Sequence, residues 1–133
     1  MLLMATTFCL VRHAAYASMD CALGGRAAHP LSAEGRVQAD RLAAAIRGQA
    51  IAAVVSSPIQ RARETALPIA AQLGLPVQIE EDFTEIDFAG WTGMGFDALH
   101  NEPAWRAWNA FRNIATVPGG EAMLAVQARA ERA

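Results

Sequence analysis

The stretch Thr7-Phe8-Cys9-Leu10-Val11-Arg12-His13 decides how the rest of the chain is read. Five apolar or β-favouring residues run into an arginine and a histidine, and small residues follow at Ala14, Ala15, Ala17 and Ser18. This pattern predicts a buried strand that ends in Arg-His and opens into a small-residue loop. Open α/β sheets bind ligands at the carboxyl ends of their strands. There the rigid fork of Arg12 suits an oxyanion. A neutral His13 suits attack on the atom that the oxyanion surrounds.

Working outward, residues 14–30 carry Gly24-Gly25-Arg26 and Pro30 and read as an irregular loop. Ser32 is placed as an N-cap. Leu31, Val37, Leu42, Ala45 and Ile46 then recur at helical spacing to about Arg47, and Gly48 stops the helix. The apolar run Ile51–Val55 reads as a parallel strand buried on both faces. It stops at Ser56-Ser57-Pro58, with Ser57 the expected cap of a helix reaching about Leu73 and closed by Gly74. Pro68 is expected to kink that helix. Pro76–Ile79 is a third short strand.

The order strand, helix, strand, helix, strand predicts a doubly wound α/β fold with right-handed crossovers. Arg12-His13 and Ser56-Ser57 then open on one edge of the sheet. Beyond it, Glu80-Glu81-Asp82 reads as solvated and Ala89-Gly90-Trp91-Thr92-Gly93 as a turn. Next comes a helical stretch with Phe96, Leu99, Trp105, Trp108 and Phe111 on its apolar side. The tryptophans and phenylalanines are expected to pack rather than bind. Pro118-Gly119-Gly120 breaks the chain, and Glu121 opens a last helix on which Glu121 and Arg129 are expected at the surface.

The 133 residues are 53% hydrophobic and 18% charged, material for a packed core and against disorder. A net charge of −2 leaves no basic footprint, which argues against nucleic acid as a partner. All 11 cationic side chains are arginine. Cys9 and Cys21 do not make a disulfide framework and read as reduced thiols of a cytoplasmic protein. No run reaches membrane-spanning length. Met1–Ala5 lacks the basic region of a cleaved signal.

Four polar residues gather at the predicted sheet edge. Arg12 and His13 end the first strand. Arg61 lies one turn into its helix, near the positive end of the dipole. Glu85 precedes the glycine turn. Two arginines and a helix N-terminus suit a phosphoryl group, whose transfer depends mainly on positioning and electrostatics. His13 supplies a nucleophile and Glu85 a proton for the leaving oxygen.

These residues resemble the motifs of the histidine phosphatase superfamily, the phosphoglycerate mutase-like branch 1. Leu10-Val11-Arg12-His13-Ala14, Gly25-Arg26 and Leu31-Ser32-X-X-Gly35-X-X-Gln38-Ala39 are similar to the first part of its pattern. Ser56-Ser57-Pro58-X-X-Arg61-Ala62-X-X-Thr65-Ala66 is similar to the second, Glu85-Ile86-Asp87-Phe88-X-X-Trp91-X-Gly93 to the third and Pro118-Gly119-Gly120-Glu121 to the fourth. The resemblance runs from about Thr7 to about Arg129. It implies a three-layer, mostly parallel sheet with helices on both faces. It also implies a single domain over 1–133, incomplete because the family's C-terminal strand is lacking. His13 would be transiently phosphorylated, Arg12 and Arg61 would clamp the phosphate, and Glu85 would act as general acid and then base. Gly24, Gly25 and Arg26 would border a small phosphorylated substrate. No metal or organic cofactor is implied.

The chain departs from the family in three places. Ala14 follows His13 where many members have glycine, and Ala89 begins the glycine turn. The family's second catalytic histidine, expected in a Ser-His motif beyond the last helix, is not within these residues. His29 and His100 do not stand in that motif. Three functions follow from the resemblance: a phosphomonoester hydrolase, a non-catalytic relative that binds phosphorylated ligands or a partner, and a phosphoglycerate mutase-type phosphotransferase. The short segment from Glu85 to Pro118, with only Arg106 and Arg112 as cations, favours hydrolysis over the mutase reaction. An exposed sheet edge or last helix would favour a homo-oligomer.

Overall fold

The computed structural model describes residues 6–133. Its elements run α1 (Ala33–Ala45), β1 (Val54–Ser56), α2 (Gln60–Leu73), β2 (Val77–Ile79), α3 (Phe96–Asn101), α4 (Pro103–Ala110) and α5 (Met123–Ala130), with short 3-10 turns at Glu81–Phe83 and Ala89–Trp91. β1 and β2 pair in parallel, with Val54 opposite Val77 and Ser56 opposite Ile79. α1 and α2 pack together, and Ala43, Val54, Ala66, Ile69 and Ala70 form their shared core with the sheet. Among the described residues, no helix is long and apolar enough to cross a membrane.

Local chemistry explains the helix ends. Ser32 Oγ accepts the Gly35 N–H at 3.0 Å and caps α1. Gly74 closes α2 in the left-handed region, φ +67°, which costs a glycine little. α2 runs unbroken through Pro68. Ser57 does not cap α2: Ile59 is the residue before its first turn, and Ser57 Oγ instead accepts the Ile59 N–H at 3.3 Å.

The predicted first strand is not formed. Residues 7–13 pair with no other strand among the described residues, and Phe8 and Leu10 are 80% and 94% exposed. An extended run becomes a strand only where a neighbouring edge takes its N–H and C=O groups, and here no described edge does so. The predicted helix over the tryptophans is two helices. Pro103 lacks an N–H and holds Glu102 extended (φ −78°, ψ 117°), so the chain turns between α3 and α4. Phe111 lies outside the core and is exposed. Glu121 precedes α5 rather than opening it.

A second core holds Ile86, Phe88, Trp91, Leu99, Trp105, Trp108 and Val117. Trp91 meets Trp105 edge to face at 5.3 Å, and Phe88 meets Trp108 the same way at 5.4 Å. This cluster seats the loop that bears Glu85. Gly120 lets the 118–121 turn close onto that loop, since a Cβ there would lie 2.1 Å from the Asp87 carbonyl oxygen.

Candidate active site

The loop after His13 is fastened to both helices of the first core. The buried Ala14 N–H donates to Thr65 Oγ1 on α2 at 3.0 Å, and Thr65 Oγ1 donates to the Arg61 carbonyl at 2.7 Å. The Ala15 N–H donates to Gln38 Oε1 at 3.0 Å, and the Ala15 carbonyl accepts the Ser32 N–H at 2.9 Å. Gly35 permits that approach, because a Cβ would sit 2.0 Å from the Ala15 oxygen. His13 and Arg61, 48 residues apart in sequence, are thus held in one body by Thr65.

His13 is half-buried, and its Nδ1 lies 2.9 Å from the Ala14 carbonyl oxygen. A carbonyl only accepts, so Nδ1 carries the proton and the lone pair is on Nε2. The pKa of His13 is lowered below the ordinary 6.5. Burial is the largest cause, and the Arg61 and Arg12 charges act the same way against the Ala14 hydrogen bond and Glu85. These surroundings favour the neutral imidazole, with its lone pair on Nε2.

Arg61 is 3% exposed, although it is the second residue of α2 rather than one turn into it. Its Nη2 donates to the Gly25 carbonyl at 2.9 Å and lies 3.5 Å from Glu85 Oε2. Nε and Nη1 are buried without a hydrogen-bond partner among the described residues. Leaving guanidinium donors unsatisfied in a protein interior is costly. They form an anion-ready site beside the imidazole. Gly25 is held at φ +48°, and its missing Cβ would meet Thr92 Oγ1 at 2.6 Å. Arg12 is exposed, but close enough to bear on the His13 charge.

Arg26, expected to border the substrate, is engaged by groups of the protein. Its Nε donates to the Glu85 carbonyl at 2.8 Å, its Nη2 to Glu121 Oε2 at 2.8 Å, and its Nη1 faces Asp87 at 3.7 Å. Glu121 Oε2 also accepts the Asp87 N–H at 2.8 Å and Arg129 Nη2 at 3.2 Å, while Arg129 Nη1 donates to the Asp82 carbonyl. Burial raises the Glu121 pKa, but the Asp87 N–H, Arg129 and Arg26 outweigh it and hold the carboxyl below the usual range. Glu121 and Arg129 are therefore not plain surface residues. With Arg26 they fix the backbone of residues 82–87 and so the position of Glu85.

The structure thus gathers His13, Arg61, Glu85, Gly25 and Arg26, with Arg12 at the rim. The sequence reading missed the contacts made by Thr65, Glu121 and Arg129. Only Thr65 carried a local signal, standing four residues after Arg61 and so on the same helix face.

The family model for the histidine phosphatase superfamily (branch 1) matches residues 8–133. The chain belongs to the histidine phosphatase superfamily. Among curated members, it is 32% identical over 126 residues to the adenosylcobalamin/alpha-ribazole phosphatase of Escherichia coli, covering 92% of this chain and 62% of the relative. It is 44% identical over 84 residues to a bifunctional protein of Mycobacterium tuberculosis, 62% of this chain and 23% of that one. The fold matches the alpha-ribazole phosphatase of Shigella flexneri with a TM-score of 0.81 at 29% identity, covering 92% of this chain and 62% of that structure. A mycobacterial glucosyl-3-phosphoglycerate phosphatase matches at 0.81 and 26% identity, over 90% and 57%. The fold is accordingly the α/β fold of the histidine phosphatases. The chain spans from 23% to 62% of the lengths of these curated relatives.

Proposed function

We propose that the chain carries the phosphohistidine centre of a phosphomonoester hydrolase. One observation carries this reading. A neutral imidazole with its lone pair on Nε2 stands beside a buried guanidinium, two nitrogens of which are unpartnered among the described residues. In this mechanism Nε2 of His13 attacks phosphorus, the bond from phosphorus to the ester oxygen breaks, and Glu85 gives its proton to the leaving oxygen. Arg61 and Arg12 neutralise the charge on the equatorial oxygens. Glu85, now a carboxylate, takes a proton from water, whose oxygen displaces His13 and releases inorganic phosphate.

The substrate class is a small phosphorylated metabolite, in keeping with the phosphatases among its relatives. Gly24 and Gly25 border it, and Arg26 braces Glu85 rather than gripping the ligand. Hydrolysis is favoured over mutase chemistry because the cations of the 85–118 segment are engaged elsewhere. Arg106 donates to the His100 carbonyl at 2.8 Å, and Arg112 lies 4.5 Å over the Trp108 ring. The test is hydrolysis of p-nitrophenyl phosphate by the wild type and by His13→Ala. Turnover abolished in the variant is expected. Equal turnover by the two proteins, or primer-dependent phosphoryl transfer well above hydrolysis, refutes the reading.

A further inference from the structure

Arg61 poses a mechanical problem. Among the described residues, two of its three nitrogens have no hydrogen bond, and Nη2 ties it to Gly25 and Glu85. Hydrogen bonds at one nitrogen do not by themselves fix the plane of a guanidinium. An aromatic ring also faces it. Its Cζ lies 5.3 Å from the centroid of the Tyr16 ring, within the range of a cation–π contact. The same ring meets the His13 imidazole at 5.6 Å and is stacked on His29 at 4.9 Å with the planes 20° apart.

Tyr16 is itself tightly placed. It is buried, and its backbone forms a bridge with Leu31 at the start of the α1 cap. Gly24 makes room for the phenol, since a Cβ there would lie 2.4 Å from the Tyr16 oxygen. This is a reason for glycine at 24 that does not involve substrate.

We propose that Tyr16 is a positioning residue, whose ring fixes the plane of the Arg61 guanidinium and backs the His13 imidazole, with Gly24 and His29 as the seat of that ring. The proposal rests on the reading of this site as a phosphate centre. The ring's quadrupole also offsets part of the cost of burying the Arg61 charge. The hydroxyl is not required by this role; the aromatic face is.

The test uses the full chain and inorganic phosphate as the probe, titrated calorimetrically, with p-nitrophenyl phosphate hydrolysis measured in parallel. Tyr16→Leu is expected to weaken phosphate binding about tenfold and to lower kcat/KM at least as much, while Tyr16→Phe stays within about threefold of wild type in both. Gly24→Ala drives a methyl group into the phenol and is expected to weaken phosphate as Tyr16→Leu does. The double variant Gly24→Ala/Tyr16→Phe, which removes the clashing oxygen, is expected to recover most of the loss. That pair decides the matter if Tyr16→Leu fails to fold. Tyr16→Leu binding phosphate like wild type, Tyr16→Phe falling as far as Tyr16→Leu, or a wild type that binds no phosphate each overturns the proposal. Phosphate binding without His13-dependent hydrolysis refutes the hydrolase reading instead, and the titrations then decide on Tyr16 alone.

Discussion

Thr65→Val isolates the link between nucleophile and clamp. The two side chains are nearly isosteric and both are β-branched, so packing and χ1 preference hardly change. What disappears is one oxygen that accepts the Ala14 N–H at 3.0 Å and donates to the Arg61 carbonyl at 2.7 Å. Losing the second bond costs little, because a helical carbonyl keeps its own backbone partner. Losing the first leaves a buried N–H with no acceptor, at about 1–3 kcal/mol. A loss of about 2 kcal/mol lowers Tm by roughly 6–10 °C in a domain of this size. Activity suffers more, because the residue after His13 is no longer pinned to the helix bearing Arg61. A displacement of about 1 Å between reacting groups costs about a hundredfold in rate. The assays are thermal unfolding and kcat/KM on p-nitrophenyl phosphate, with Thr65→Ser as the variant that keeps the hydroxyl. Wild-type melting and activity in Thr65→Val, or equal losses in Thr65→Ser and Thr65→Val, would refute the reasoning.

Three further outcomes are expected. Gly35→Ala places a methyl group 2.0 Å from the Ala15 carbonyl oxygen and forces α1 away from the His13 loop, at about 3 kcal/mol, read by denaturant unfolding. Glu121→Gln lowers kcat through the slackened Glu85 backbone, and unfolding across a pH series shows a wild-type stability advantage that is full above the ordinary carboxyl pKa of 4.5 and shrinks as pH falls below it, since the folded pKa is the lower one. His13, followed by NMR, titrates below 6.5, so kcat/KM falls on the acid side as the imidazole takes a proton; Arg61→Gln moves that titration upward by removing a neighbouring positive charge.

What was legible in the sequence was local. Ser32 and Gly74 announce their helix ends by side-chain and backbone chemistry, and the parallel pairing of β1 with β2 follows from two short runs, but β1 takes in only Val54 and Val55 of Ile51–Val55 and leaves Val55 exposed on one face rather than buried on both. Glu102-Pro103 carried an equally local signal for the break between α3 and α4. The stretch 7–13 read as a strand because composition reports burial and says nothing of which edge will pair with it. The Arg26, Glu121 and Arg129 network was illegible for another reason. Arg26 and Glu121 stand 95 residues apart, and no periodicity reports a contact of that range. Tyr16 followed the Arg-His pair too closely to stand out as anything but loop.

The central claim is that His13 takes the phosphoryl group. The most direct measurement is to mix the protein with a radiolabelled phosphomonoester, quench within one turnover and locate the label by peptide mapping. An alkali-stable, acid-labile phosphate is expected on the peptide bearing His13, absent in His13→Ala and diminished in Arg61→Ala. Label on another residue, or steady turnover by His13→Ala, would contradict it.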